Sequence, residues 1–281
     1  MSDTFITEIS SLTVPAWRAV AAITLGPAGH RGLSSSTVAE EVPVAFRFNG
    51  FEHGVMMATP EALEDFALGF ALTEGVISDP AELASARVRE QDNGLVIEAT
   101  LGPDALHRYL ATRRVRRARG HTSCGLCGAE DLKDIYRTAP AIRRARPLAP
   151  VHVERALDAL RAFQPISRLT RGAHASAWLD RDGAIRAVRE DVGRHNALDK
   201  LIGAGLRGAF NPDDGFCLIT SRCSFEMVQK AVMAGYATLV SAAAPTALAI
   251  RTAVAAGLSL YSLDRGRGQL LYTFCAEGDE P

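Results

Sequence analysis

Apolar residues change period several times along the chain, and each change predicts an element. Val42, Val44, Phe46 and Phe48 alternate with Pro43, Ala45 and Arg47. Side chains alternate between the two faces of a strand, so this run predicts a half-buried strand. Asn49-Gly50 follows, and then further apolar residues in "FEHGVMM". An Asn-Gly turn between such runs predicts a hairpin. "ATPEALEDFALGFALTEG" (58–75) predicts a helix with Thr59 as N-cap, Pro60 in the first turn and Gly75 as the stop. Its Leu63, Phe66, Ala67 and Phe70 are expected on one apolar face. Asn93-Gly94 before "LVIEATL" predicts a second hairpin.

These elements make an α+β unit over 38–111. Residues 1–37 show weak periodicity and a "LSSST" stretch, and are expected to form a loosely attached arm. Residues 112–150 break the pattern with Pro140, Pro147 and Pro150, and read as a linker carrying a functional loop. From 151 to 281 the rhythm changes. A helix ("VERALDALRAF") and a hairpin turning at Asp182-Gly183 are followed by "GRHNALDKLIGAGL" as a helix. Then "FCLIT", "ATLVS" and "LSLYSL" alternate with two helical stretches. Strand-helix-strand order predicts right-handed crossovers and a parallel sheet covered by helices. The fold class is therefore α/β, an α+β unit followed by a layered α/β unit.

In such sheets, ligands bind beyond the carboxyl ends of the strands. The segments leaving the predicted strands are "REDVGRHN", "TSRCS", "SAAAPT" and "DRGRG". They bring Asp191, Arg194, His195, Asn196, Ser221, Arg222, Thr246, Arg265 and Arg267 to one edge. Helix N-termini and arginines suit phosphate. Gly266 and Gly268 allow close backbone approach, and Asp191 is a candidate acceptor for a guanine-like or ribose edge. The alternative is that these are helix caps and solvated loop residues.

The 281 residues carry a net charge of −1, which gives no global reason to expect nucleic acid. Arginine is crowded locally at 113–120 and 143–146, flanking "HTSCGLCG" (121–128). No long apolar run predicts a membrane span, and the polar N-terminus shows no signal peptide. An odd count of five cysteines fits a reducing, cytoplasmic setting.

The Cys124/Cys127 pair leaves three chemistries open. Zinc needs four ligands, and no second pair exists. Dithiol redox chemistry usually places such a pair at a strand-to-helix start, and no strong strand precedes this one. Covalent transfer fits a thiolate whose pKa is lowered by nearby arginines. Spacing alone does not identify the cargo.

Seven stretches resemble one family, the formate dehydrogenase accessory sulfur carriers called FdhD. They are "EEVPVAFRFNG", "MMATPEALEDFALGFALTEGVI", "TSCGLCG", "REDVGRHNALDKLIGA", "SRCSFEMVQKA", "SAAAPTALAI" and "LYSLDRGRGQLLYT". They run in order across about 40–273. The resemblance implies a second domain like the three-layer cytidine deaminase fold without its zinc chemistry. It implies a sulfurtransferase that takes persulfide sulfur from a cysteine desulfurase and passes it to the molybdenum bis(molybdopterin guanine dinucleotide) cofactor of formate dehydrogenase. Cys124 matches the persulfide-bearing cysteine, with Cys127 assisting. Leu263, Asp264, Arg265, Gly266, Arg267 and Gly268 match the cofactor-binding segment, where a GDP-like nucleotide is also expected. A homodimer is implied, with neither nucleic acid nor membrane as partner. Ser221-Arg222 departs from a Gly-Arg pattern, and Cys223 replaces a small residue, which raises either a relay role or a buried side chain. The rival reading is a chaperone that holds the cofactor without moving sulfur.

Overall fold

The computed structural model describes residues 6–9, 13–25, 31–116, 142, 147–264 and 268–273. In chain order the strands are β1 (Ile6–Ile9), β2 (Trp17–Leu25), β3 (Arg31–Ala39), β4 (Val42–Phe48), β5 (Phe51–Ala58), β6 (Leu83–Gln91) and β7 (Gly94–Leu101). They continue with β8 (His174–Asp180), β9 (Ile185–Asp191), β10 (Gly215–Ile219), β11 (Thr238–Ser241), β12 (Ser259–Asp264) and β13 (Gly268–Thr273). The helices are α1 (Leu63–Thr73), α2 (Pro103–Arg116), α3 (Pro150–Leu160), α4 (Pro165–Thr170), α5 (Arg194–Leu206), α6 (Phe225–Met233) and α7 (Ala247–Ala256).

The first sheet has the order β1-β6-β7-β4-β5. Both expected hairpins are present in it. Asn49 and Gly50 take positive φ values of 48° and 77°, as the tight turn requires. Alternation decides burial, and Val44, Phe46 and Phe48 point into the core.

The arm over 1–37 is more ordered than its sequence pattern predicts. β1 adds to the first sheet in parallel with β6. β2 and β3 form a separate two-stranded ribbon. The ribbon escapes a periodicity search because both of its faces are largely exposed, Leu33 to 91% and Leu25 to 74%. β3 is also rich in serine.

The second sheet has the order β13-β12-β11-β10-β8-β9. β10, β11 and β12 are neighbours in parallel, as the strand-helix alternation predicts, and the antiparallel strands β8 and β13 extend the sheet on either side. β8 runs against both β9 and β10, so β9 points the same way as the three parallel strands. The "DRGRG" stretch lies between β12 and an antiparallel return strand, β13. It therefore does not lead into a helix, and its residues 265–267 lie outside the described residues. α3 covers one face through Val153, Ala156 and Leu160. α5, α6 and α7 cover the other.

α1 is buried on every side rather than along one stripe. It lies between the first sheet and α5, so one hydrophobic core runs through both units. Two glycines allow the crossing. A Cβ on Gly203 would lie 2.5 Å from the carbonyl carbon of Asp65, and one on Gly69 would lie 2.8 Å from that of Asp199. Charge pins the same interface. Asp65 receives Arg189 Nε at 2.7 Å and Arg207 Nη1 at 2.9 Å. Lys230 Nζ lies 2.8 Å from Asp199 Oδ2 and 2.9 Å from Thr73 Oγ1. The boundary expected at 111 falls inside α2.

Candidate functional site

The carboxyl ends of β9, β10, β11 and β12 share one edge. Strand register shows this directly, with Ile219 beside Ser241 and Ser241 beside Ser262. The N-termini of α5, α6 and α7 follow from three of these ends. The loops are tied to each other. Ser241 Oγ lies 2.8 Å from Ser221 O and 2.6 Å from Ala243 O. Thr246 N donates to Cys223 O at 3.0 Å.

Several expected residues meet at this edge. Arg222 is exposed, and Ser221 is buried with its hydroxyl donating to Arg222 O at 3.1 Å. Arg194 and His195 open α5. The buried Arg194 Nε and His195 Nε2 have no hydrogen-bond partner among the described residues. An unpaired buried polar atom is costly in a finished core, so Arg194 Nε suits a site that receives a ligand. Asp264 and Gly268 stand opposite each other at the start of the last hairpin, and Leu263 packs on the core below them.

Two expected ligand contacts, Asp191 and Asn196, are instead structural. The Asp191 carboxylate is fully buried, and both of its oxygens are occupied. Oδ2 accepts from Lys200 Nζ at 2.6 Å and Thr59 N at 3.0 Å. Oδ1 accepts from Gly193 N at 2.8 Å and Asn196 Nδ2 at 3.0 Å. Asn196 also donates to Met57 O at 2.8 Å. Asp191 and Asn196 therefore join the two units and do not face a guanine or ribose edge. Thr246 caps α7, its hydroxyl accepting from Ala249 N at 3.2 Å. Thr59 is not the cap of α1, whose N-cap position is Ala62. Its hydroxyl instead accepts from Val192 N at 3.1 Å.

Two residues at the edge had no strong signal in the sequence. His174 begins β8 and pairs in register with Asp191. Burial, then the neighbouring Arg194 and His195, push its pKa down against the pull of Asp191, so its ring is neutral near pH 7. Glu226 lies in the first turn of α6, and its Oε2 accepts from Ser224 Oγ at 2.7 Å. His195 Nε2 stands 3.7 Å from the same oxygen, within ion-pair reach though beyond a hydrogen bond. His195 first, and then Ser224, hold the Glu226 carboxyl down to about 2. The only sequence signal was an acid at a predicted helix start.

Cys223 is fully buried, and burial pushes its thiol up to about 12. Burial raises Cys217 still further. Burial disfavours a thiolate at both near neutral pH, and Cys223 stands as a small buried side chain. No His, Cys, Asp and Glu cluster suited to a metal occurs among the described residues. Cys124, Cys127, Arg265, Gly266 and Arg267 lie outside the described residues. No helix among the described residues is long and apolar enough to cross a membrane.

The chain is similar to proteins named "Sulfur carrier protein FdhD". The one from Bordetella petrii is 44% identical over 239 residues, 85% of either chain. The one from Xanthomonas campestris pv. campestris strain B100 is 44% identical over 248 residues, 87% of this chain and 88% of the relative. A crystal structure titled as a putative formate dehydrogenase accessory protein, from Desulfotalea psychrophila, superposes with a TM-score of 0.72. It covers 92% of this chain and 97% of its own at 22% identity, which establishes the shared fold. The profile of the FdhD/NarQ family matches residues 39–277, and the chain belongs to that family.

Proposed function

We propose that the protein is a sulfur carrier serving the molybdenum cofactor of formate dehydrogenase. The observation that carries this reading is "SCGLCG" in a chain 44% identical, over most of its length, to proteins named as sulfur carriers. The Cys124 thiolate attacks the outer sulfur of a cysteine desulfurase persulfide. One S–S bond forms on Cys124, and the desulfurase thiolate leaves. Cys127 then attacks the inner sulfur of the Cys124 persulfide. Sulfide departs toward the metal centre, and the pair is left as a disulfide. The arginines at 113–119 favour the thiolate.

The bis(molybdopterin guanine dinucleotide) cofactor is the bound substrate, and a GDP-like nucleotide occupies the same place. Arg194 Nε, which has no hydrogen-bond partner among the described residues, His195 beside it and the exposed Arg222 fit its phosphates, with residues 263–268 as the expected cofactor-binding segment. The working form is a cytoplasmic homodimer that meets a desulfurase and a formate dehydrogenase in turn.

The test is to incubate the protein with a desulfurase and cysteine and to read the intact mass. A gain of about 32 Da, one sulfur atom, is expected in wild type and in Cys217→Ala, and not in Cys124→Ala. Wild type that gains no mass overturns the reading. The chaperone alternative requires Cys124→Ala to restore formate dehydrogenase activity as well as wild type does.

A further inference from the structure

A concave surface lies over α4 and the turn before it. Arg161, Ala162, Ser167, Arg168 and Arg171 line a cavity of about 390 Å³, within the range of small-molecule sites. Ser167, Arg168 and Arg171 are spaced so that α4 and the residue after it present them on one face. Arg161 comes from the single helical turn over Arg161–Phe163, just before α4.

Several guanidiniums among the described residues are matched by carboxylates, as Arg186 is by Asp180 and Arg108 by Glu82. Among the described residues, no carboxylate pairs with Arg161, Arg168 or Arg171. All three are exposed. The nearby Glu190 carboxylate is buried and turned inward, accepting from Ile166 N at 2.9 Å and Ser167 N at 2.8 Å. It therefore occupies the N-terminus of α4 and leaves the arginines uncompensated.

Three like charges around one hollow repel each other, and a bound anion relieves that repulsion. Guanidinium forks match phosphate oxygens in pairs. Another hollow differs. Its volume is about 430 Å³, and Asp92 is the only charged residue in its lining.

We infer that the cavity between the Arg161 turn and α4 binds a small phosphate-bearing ligand, with the diphosphate group as its anchor. A concave wall suits a small anion better than a protein surface does. None of its lining residues belongs to the loops after β9 to β12, and the inference does not rest on the sulfur-carrier reading.

Calorimetric titration of the full chain with inorganic pyrophosphate tests this. Saturable binding that weakens as salt rises is expected. Arg161→Gln/Arg168→Gln should weaken it about ten-fold or more, the loss of a charge-assisted contact. Arg186→Gln, whose guanidinium is paired with Asp180 outside this hollow, should bind within about two-fold of wild type. Sulfur uptake from a desulfurase should be unchanged in the double variant, which separates this site from the proposed function. The exposed positions should leave the thermal midpoint unchanged, confirming a folded variant. Absence of pyrophosphate binding in wild type overturns the inference. So does equal binding by the double variant, or tighter binding of an acidic peptide than of pyrophosphate.

Discussion

Gly203→Ala is expected to weaken the joint between the two halves of the molecule. The added Cβ would stand 2.5 Å from the Asp65 carbonyl carbon and 2.8 Å from its Cα, where ordinary contact begins at 3.4 Å. Both obstacles are backbone, so no side chain can swing aside. The helices must part by roughly 1 Å. Overpacking of this kind costs about 3 kcal/mol at the upper end of its usual range. Alanine returns up to about 1 kcal/mol in helix propensity. The net loss is therefore about 2 kcal/mol, or roughly 4–8 °C in melting temperature for a chain of this size. Urea unfolding followed by tryptophan fluorescence measures it. Trp178 is 1% exposed and stacks on Phe210 at 4.7 Å, so its emission reports the second unit. Gly54→Ala is the control, since no atom lies within 4 Å of its added Cβ. A Gly203→Ala midpoint at or above that of wild type would refute the close-crossing argument.

Lys200→Met strips the counter-charge from Asp191 at a fully buried pair, and should cost about 3–5 kcal/mol by chemical denaturation. A loss below about 1 kcal/mol would show that the pair does not hold the joint. Thr246→Ala should cost about 1 kcal/mol through its lost cap on α7. Glu226 has a folded pKa of about 2 against its ordinary 4.5. Its contribution is thus complete above about 4.5 and is lost as pH falls toward 2. The stability gap between wild type and Glu226→Gln should narrow between pH 6 and pH 3, read from urea midpoints. Brief alkylation of native protein should spare Cys217 and Cys223 until denaturant is added, as peptide mass mapping will show.

Local chemistry made much of this fold readable. Asn49-Gly50 fixed the first hairpin because its backbone needs belong to the turn itself, and Asn93-Gly94 marked the second, whose turn residues are Asp92 and Asn93. The convergence at the second sheet's edge was also readable, since strand-helix order dictates where strand ends fall. What sequence could not show is contact at long range. Asp191 looks like a ligand-facing acid until Thr59, 132 positions earlier, is found donating to it. α1 gives no single apolar stripe because α5 and the first sheet bury it from two directions. The β2–β3 ribbon lacks the contrast between inner and outer faces on which a strand reading depends.

The shared joint also bears on how such a chain can be inherited. Thr59 and Met57 hold the residues where β9 gives way to α5, so the sheet edge is completed by the half that precedes it in sequence. Neither half carries the edge away whole. Recombination that moved the second unit to another protein would deliver a fold with one corner of its binding edge unsupported. The two halves are expected to travel, and to diverge, as a single heritable piece.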